Sequence, residues 1–165
     1  MPSSRFLTKQ MLKNIDFNKA RVLVEFGPGN GIITKHILNK MHKNAVLICF
    51  EINEEFFNQL QKIDDNRLII TNQSAENIEL FLKAKKLQSV DCFISSLPLS
   101  IIPKDLSINI LQKSKKVLTK NGIFIQYQYS LYFHKIFKQI FGKNNVLLGF
   151  ELLNIPPAFI YRCKN

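Results

Sequence analysis

Glu25, Gly27, Gly29, Gly31 and Glu51 are the residues whose types and spacing point most directly to chemistry. Half of the chain's six glycines fall within positions 27–31. Glycine accepts positive φ and lets a ligand come close to the backbone, so a glycine-rich bend between a strand and a helix suits a nucleotide-like ligand. A dinucleotide bend reads G-x-G-x-x-G and offers N–H groups to a pyrophosphate. In Gly27-Pro28-Gly29-Asn30-Gly31-Ile32 the third glycine comes one residue early, and Ile32 takes the dinucleotide position. Glu25, two residues before the first glycine, would repel a pyrophosphate and attract a cation. Glu51 ends the next apolar run, 24 residues beyond Gly27. A carboxylate at about that distance accepts hydrogen bonds from ribose hydroxyls. It could equally belong to the start of the helix that follows, where acidic residues are common.

A ligand with an ammonium, a sulfonium, a ribose and no phosphate matches this set, and S-adenosylmethionine (SAM) has all of these features. The expected cofactor is therefore SAM, bordered by Glu25, Gly27, Gly29, Gly31, Glu51 and Ile52.

The elements that must position these residues alternate along the chain. A helix is expected over 4–15, capped by Ser4, with Phe6, Leu7, Met11, Leu12 and Ile15 on one side. Strands follow at 22–26, 46–50, 68–71, 90–94 and 123–129, with helices at 31–42, 54–62, 75–86 and about 103–118 between them. Asn121-Gly122 marks a turn before the fifth strand. This alternation predicts a parallel sheet with helices on both faces. After a helix at 132–141, strands at 146–153 and 158–163 are joined by Asn154-Ile155-Pro156-Pro157. Four residues cannot hold a crossover helix, so the last two strands should pair antiparallel. A mostly parallel, seven-stranded α/β sheet closed by such a hairpin is the Rossmann-like architecture of class I SAM-dependent methyltransferases. No linker or repeat interrupts it, and residues 1–165 read as a single domain.

Reactive groups in such a sheet belong at the carboxyl ends of the strands. The fourth strand runs into Ser95-Ser96-Leu97-Pro98-Leu99. Adenine-methylating enzymes of this fold place an Asn or Asp, then a Pro, then a base-stacking ring in that loop. Here Ser stands in place of the Asn and Leu99 in place of the ring. A flat heteroaromatic acceptor would find nothing to stack on. Ser96, Leu97, Pro98 and Leu99, with Ile101 and Ile102, instead offer an aliphatic wall for an acyl chain, or else serve as core contacts of the next helix.

Tyr127 and Tyr129 are the candidate catalytic groups. They alternate with Gln126 and Gln128, so each pair shares a face of strand five. A tyrosine there could help deprotonate an amine, and an aromatic face would attract its methylated product. The alternative is one core tyrosine and one surface tyrosine. His36, His42 and His134 have no partner suggesting catalysis, and His134 alone invites a test.

Composition sets wider bounds. Net charge is +11, from 23 Lys and Arg against 12 Asp and Glu, which favours anionic partners such as nucleic acid or an acidic membrane surface. The clusters Lys83, Lys85, Lys86 and Lys113, Lys115, Lys116 also read as ordinary solvated helix faces. No apolar run approaches the roughly 18 residues of a membrane span, and no signal peptide precedes Ser3. Cys49, Cys92 and Cys163 are odd in number and far apart, as expected of buried thiols in a reducing cytoplasm, and no Cys/His spacing suggests a metal site.

Taken from end to end, the chain resembles the bacterial phospholipid N-methyltransferases, relatives of the rRNA adenine dimethyltransferases. The matching segments are Pro2-Ser3-Ser4-Arg5-Phe6-Leu7, 24–31, Glu51, Ser95-Ser96-Leu97-Pro98 and Asn154-Ile155-Pro156-Pro157-Ala158-Phe159. The glycine segment is common to related methyltransferases, whereas the S-x-L-P loop and N-x-P-P-A tail discriminate. The resemblance implies SAM contacts at Glu25, Gly27, Gly29, Glu51, Ser74, Ala75 and Ser95. It also implies methylation of the amino headgroup of phosphatidylethanolamine-type lipids, in the cytoplasm or peripherally at the inner face of the cell membrane. That family carries an amphipathic helix ahead of the Ser-Ser segment. This sequence begins almost at Ser3, so docking would fall to the basic surface and the helix over 5–15. Methylation of adenine N6 in rRNA, or SAM binding without catalysis, are the competing expectations.

Overall fold

The computed structural model describes residues 5–165. Ser4, the expected cap of the first helix, lies outside the described residues, as do Pro2 and Ser3. Seven strands form one sheet: β1 (Val22–Phe26), β2 (Val46–Phe50), β3 (Leu68–Thr71), β4 (Val90–Ser95), β5 (Leu118–Gln128), β6 (Val146–Glu151) and β7 (Ala158–Lys164). Their order is β3-β2-β1-β4-β5-β7-β6. The first five are parallel, and β7 runs antiparallel to both β5 and β6. The strand order reverses between β1 and β4, which opens a crevice at their carboxyl ends.

The sheet is covered on both faces. One holds α1 (Arg5–Leu12) and α2 (Ile32–Lys40), whose Leu7, Met11, Ile33 and Ile37 pack on Leu23, Leu47, Ile94 and Ile125. The other holds α4 (Ile78–Ala84), α5 (Lys104–Val117) and α6 (His134–Phe141). A short helix, α3 (Glu54–Leu60), follows β2, with Asn53 accepting from the Phe56 N–H as its cap. Four strands contribute one ring each to a row beneath α4–α6. Phe50, Phe26, Phe93 and Phe124 stand with successive centroids 5.5, 5.3 and 5.6 Å apart. Alternation places them together because every second residue of neighbouring strands shares a face.

Departures from the sequence expectations have local causes. The helix expected over 75–86 begins as a 3-10 turn, Ala75–Asn77, capped by Ser74. Residues 121–122 do not end a segment but sit within the span of β5. Leu118 pairs with Val90 and Ile123 with Cys92, so the residues between them bulge outward. β6 stops at Glu151 rather than 153, because the Glu151 carboxylate accepts from the Leu153 N–H at 2.8 Å and turns the chain. The three cysteines are buried and free. No helix of the described residues is long and apolar enough to cross a membrane.

Candidate active site

Parallel strands bring the ends of β1, β2 and β4 to one edge. Past β1 the backbone must bend at once, and Gly27, Gly29 and Gly31 have φ of 66°, 56° and 80°. Gly27 also has a neighbour: a Cβ there would lie 3.2 Å from Leu97 Cδ2. The bend is thus packed against the loop after β4, and the Ser96 N–H donates to Phe26 O at 2.9 Å. Gly29 differs, since a Cβ on it would meet nothing within 4 Å. That side of the bend is open to a ligand. Gly31 is closed instead by Leu60 and Ile63, at 3.0 and 3.4 Å from a built Cβ, so its positive φ and this packing both call for glycine there.

The two acids behave differently. Glu51 is almost buried, with Oε2 accepting from the Gly29 N–H at 3.0 Å and Oε1 from the Asn53 N–H at 2.9 Å. Each oxygen keeps a second lone pair, so the carboxylate both shapes the bend and can still accept from hydroxyls. Glu51 thus sits at the start of α3, as one expectation had it, and its remaining lone pairs leave the ribose role open. Ile52 beside it is exposed. Glu25 is fully buried under α2, where Oε2 accepts from Thr34 Oγ1 at 2.6 Å and from Cys49 Sγ at 3.5 Å. Its Oε1 has no hydrogen-bond partner among the described residues. Burial pushes its pKa up to about 7, although the Thr34 and Cys49 bonds pull it down. Ser74 caps the 3-10 turn and Ala75 is buried under it.

Ser95 is fully buried, and its Oγ accepts from the Leu97 N–H at 3.4 Å. Ser96 has a buried Oγ with no partner among the described residues. Leu97 is the pivot of the loop. Its carbonyl oxygen accepts from Gln126 Nε2, Gln128 Nε2 and the Leu99 N–H, each at 2.9 Å. Pro98 is exposed and its carbonyl accepts from Ile101 and Ile102. Leu99 is a core residue at 1% exposure. Of the two roles considered for these aliphatic residues, Leu99 takes the core one. It still forms part of the floor of a hollow of about 500 Å³ between the loops after β4 and β5, with Ser100, Ile102, Lys104, Ser130, Tyr132 and Phe133. A larger hollow of about 620 Å³ between α5 and α6, lined by Gln112, Lys116 and Gln139, takes in none of the residues of the bend.

Tyr127 packs against the α1–α2 side, whereas Tyr129 just past β5 is 46% exposed. Their rings meet edge to face, centroids 5.7 Å apart. Gln126 and Gln128 occupy the opposite face, as alternation requires, and both are buried. Sequence reasoning noticed this pair but gave it no role. Two amides at alternate positions of a buried strand were the signal, because such groups must find partners. His134 stands beside Tyr161 at a centroid distance of 5.9 Å, with its Nδ1 unpartnered among the described residues. His36 is exposed on α2, and His42 Nδ1 accepts from the Asn44 N–H.

These residues fit SAM. A buried carboxylate oxygen awaits a donor at Glu25, lone pairs remain on Glu51, and the bend is open at Gly29. With the 3-2-1-4-5-7-6 sheet, this arrangement is that of a class I SAM-dependent methyltransferase. The chain belongs to the ribosomal RNA adenine dimethylase family, whose model matches residues 3–152. It is 30% identical over 166 residues to an ornithine lipid N-methyltransferase of Singulisphaera acidiphila, a match covering 99% of this chain and 85% of that protein. Solved structures share the fold. A SAM-dependent methyltransferase from Aquifex aeolicus superposes with a TM-score of 0.67 at 12% identity, covering 96% of this chain and 89% of that one. Human methyltransferase-like protein 13, in complex with SAH, gives 0.67 at 15% identity, covering 95% and 78%.

Proposed function

We propose that this chain transfers methyl groups from SAM to the amino headgroup of a lipid of the phosphatidylethanolamine type, working from the cytoplasm at the inner face of the cell membrane. The observation that carries this reading is Leu99. Where a base-stacking ring would stand, the side chain is aliphatic and folded into the core, so a nucleobase acceptor loses its platform. Similarity to an ornithine lipid N-methyltransferase supports a lipid amine as acceptor.

Bound SAM supplies an electrophilic methyl on a sulfonium, which an amine displaces in line. The chain's own residues do the rest. Glu25, Gly27, Gly29, Gly31, Glu51, Ile52, Ser74, Ala75 and Ser95 are assigned to the cofactor, with Glu25 Oε1 accepting from its ammonium and Glu51 from its ribose. Ser96, Leu97, Pro98 and the edge of Leu99 border the acceptor. Gln126 and Gln128 fix the Leu97 carbonyl, so the loop meets its substrate already set, and such positioning lowers the entropic part of the barrier. The Tyr127–Tyr129 pair is assigned to the amine: its ring faces attract the cationic product, and the Tyr129 hydroxyl can relay the proton lost on methylation.

Incubation with methyl-labelled SAM and, separately, phosphatidylethanolamine vesicles, ornithine lipid vesicles and ribosomal RNA tests the assignment. Label in phosphatidylethanolamine is expected. Label in ornithine lipid alone would move the acceptor to that class. The family's own description makes adenine in ribosomal RNA the second reading, and label there would replace the first. Intact SAM binding with no label anywhere would leave a binding domain without catalysis.

A further inference from the structure

The carboxyl edge of the sheet carries more exposed apolar surface than a cofactor site needs. β4 and β5 are parallel, and β5 and β6 are both antiparallel to β7, so β4, β5 and β6 all end at this edge. Ile101 past β4, Leu131 and Tyr132 past β5, and Leu152, Leu153 and Ile155 past β6 are 47–84% exposed. The turn at 152–157 is inverted in polarity. Its buried member is Asn154, at 3% exposure, whose Nδ2 donates to Pro156 O at 2.7 Å. Glu151, at its foot, is also buried and holds the Leu153 N–H. The residues facing outward are leucine and isoleucine. In water a turn normally does the reverse. A medium without hydrogen-bonding partners favours this arrangement, with polar groups tied internally and apolar side chains outward.

Charge identifies the medium. The chain carries a net charge of +11, and the cations at the carboxyl edge itself are Lys104 and Lys135, whereas Lys113, Lys115, Lys116, Lys120 and Lys164 lie towards the opposite edge, where β5 begins and β7 ends. Lys104 opens α5 and Lys135 lies in the first turn of α6, both exposed at this edge, where Asp105 is the exposed acid. Such an apolar rim backed by cations is complementary to an anionic phospholipid bilayer. It is also continuous with the hollow lined by Leu99, Lys104 and Tyr132, so a docked rim would place that hollow against the headgroups.

We propose that the turns after β4, β5 and β6 form the membrane-docking rim of this protein, with Leu153 and Ile155 of the β6–β7 turn entering the acyl layer of an anionic bilayer and Lys135 lying against its phosphates. The proposal rests on the lipid-acceptor reading. It moves docking away from the first helix, where the sequence had placed it.

The chain contains no tryptophan, so a single one reports its own surroundings. Ile155→Trp, mixed with vesicles of phosphatidylglycerol and phosphatidylethanolamine, is expected to shift to the blue and to be quenched by brominated acyl chains. Leu80→Trp, exposed on α4, is expected to do neither. The pair Leu153→Asp with Ile155→Asp is expected to weaken vesicle sedimentation at least about tenfold, and Lys135→Glu to weaken it at low salt only. Both should leave adenosylhomocysteine affinity and the far-UV spectrum unchanged. Vesicle binding without quenching of Ile155→Trp, no vesicle binding at low salt, or a dimer that the aspartate pair dissolves would each overturn the proposal. Methylation of short-chain phosphatidylethanolamine below its micelle concentration separates the two ideas. Label there without rim contact removes the docking surface alone, and rim contact without label removes the acceptor alone.

Discussion

Glu25→Gln removes a charge that the fold buries with no cation beside it. In the folded chain burial raises the Glu25 pKa from 4.5 to about 7. The folded state therefore holds this proton more tightly than the unfolded one. The contribution of Glu25 to stability is most favourable below about pH 4.5, falls as pH rises towards 7, and is level above that. A pKa difference of about 2.5, at roughly 1.4 kcal/mol for each unit, amounts to about 3 kcal/mol at pH 8 and less than about 1 kcal/mol at pH 5. Glutamine has the same shape, carries no charge and keeps an oxygen for Thr34 Oγ1. The variant should therefore gain up to about 3 kcal/mol at pH 8, which for a domain of this size is a rise in Tm of roughly 6–12 °C. Thermal denaturation without ligand, followed by circular dichroism at both pH values, reads the effect. Equal shifts at pH 5 and pH 8, or a fall at pH 8, would refute the account of Glu25 as a desolvated acid. The cofactor assignment adds a second arm. A ligand ammonium at Oε1 would draw the proton off, so calorimetry at pH 7 in buffers of different ionisation enthalpy should show proton release on SAM binding by the native chain and none by the variant.

Glu51→Ala leaves the Gly29 and Asn53 N–H groups without an acceptor and removes one for ribose; SAM affinity should fall by about 1–3 kcal/mol in calorimetry, and unchanged affinity would take Glu51 out of the site. Gln128→Leu strips one of three donors from the Leu97 carbonyl, so KM for the acceptor should rise several-fold while adenosylhomocysteine affinity stays constant; a parallel loss of both would mean general unfolding. Tyr129→Phe keeps the ring face and removes the hydroxyl assigned to the proton, so kcat/KM should fall by roughly 100-fold, with Tyr129→Leu costing about 0.5–2 kcal/mol more; a loss within about threefold in the phenylalanine variant would take the hydroxyl out of the reaction and leave the ring face alone. Phe93→Ala breaks the row of rings at its centre and should cost about 3–5 kcal/mol in denaturant titrations; a cost below about 1 kcal/mol would show that the row contributes little.

Periodicity made the sheet legible because each strand is an apolar run bounded by polar or turn residues. Val22–Phe26, Val46–Phe50 and Leu68–Thr71 have the bounds read from the sequence. The antiparallel hairpin followed from arithmetic, since the residues between β6 and β7 are too few for a crossover. Asn121-Gly122 misled because turn chemistry does not tell a chain reversal from a bulge, and the partner strand decides which occurs. At the candidate site, spacing found the glycine bend and Glu51, whose contact with Gly29 ties them together. Spacing could not say which way a side chain faces. Glu25 reads in the sequence as a border of the cofactor site, and only the structure shows that β1 turns it towards Cys49 and Thr34 under α2. Gly31 is equally legible as part of the bend, but spacing does not show that Leu60 and Ile63 close its Cβ side and leave only its backbone to a ligand. The Gln126 and Gln128 clamp depends on a carbonyl about thirty residues away, which no local pattern reveals.

Gly27 and Leu97 face each other across the gap between the first and fourth strands with less than a methyl's clearance, since a Cβ on Gly27 would lie 3.2 Å from Leu97 Cδ2. A bulkier group at 97 would have to push the bend aside, and a side chain at 27 would have to push Leu97. With position 27 assigned to the methyl donor and position 97 to the acceptor, as proposed above, this close approach would be a mechanical joint that couples the two preferences. Broadening the range of amines by mutating position 97 should disturb the hold on the methyl donor as well, so selection for new acceptors at this joint should recover compensating changes at 26–29.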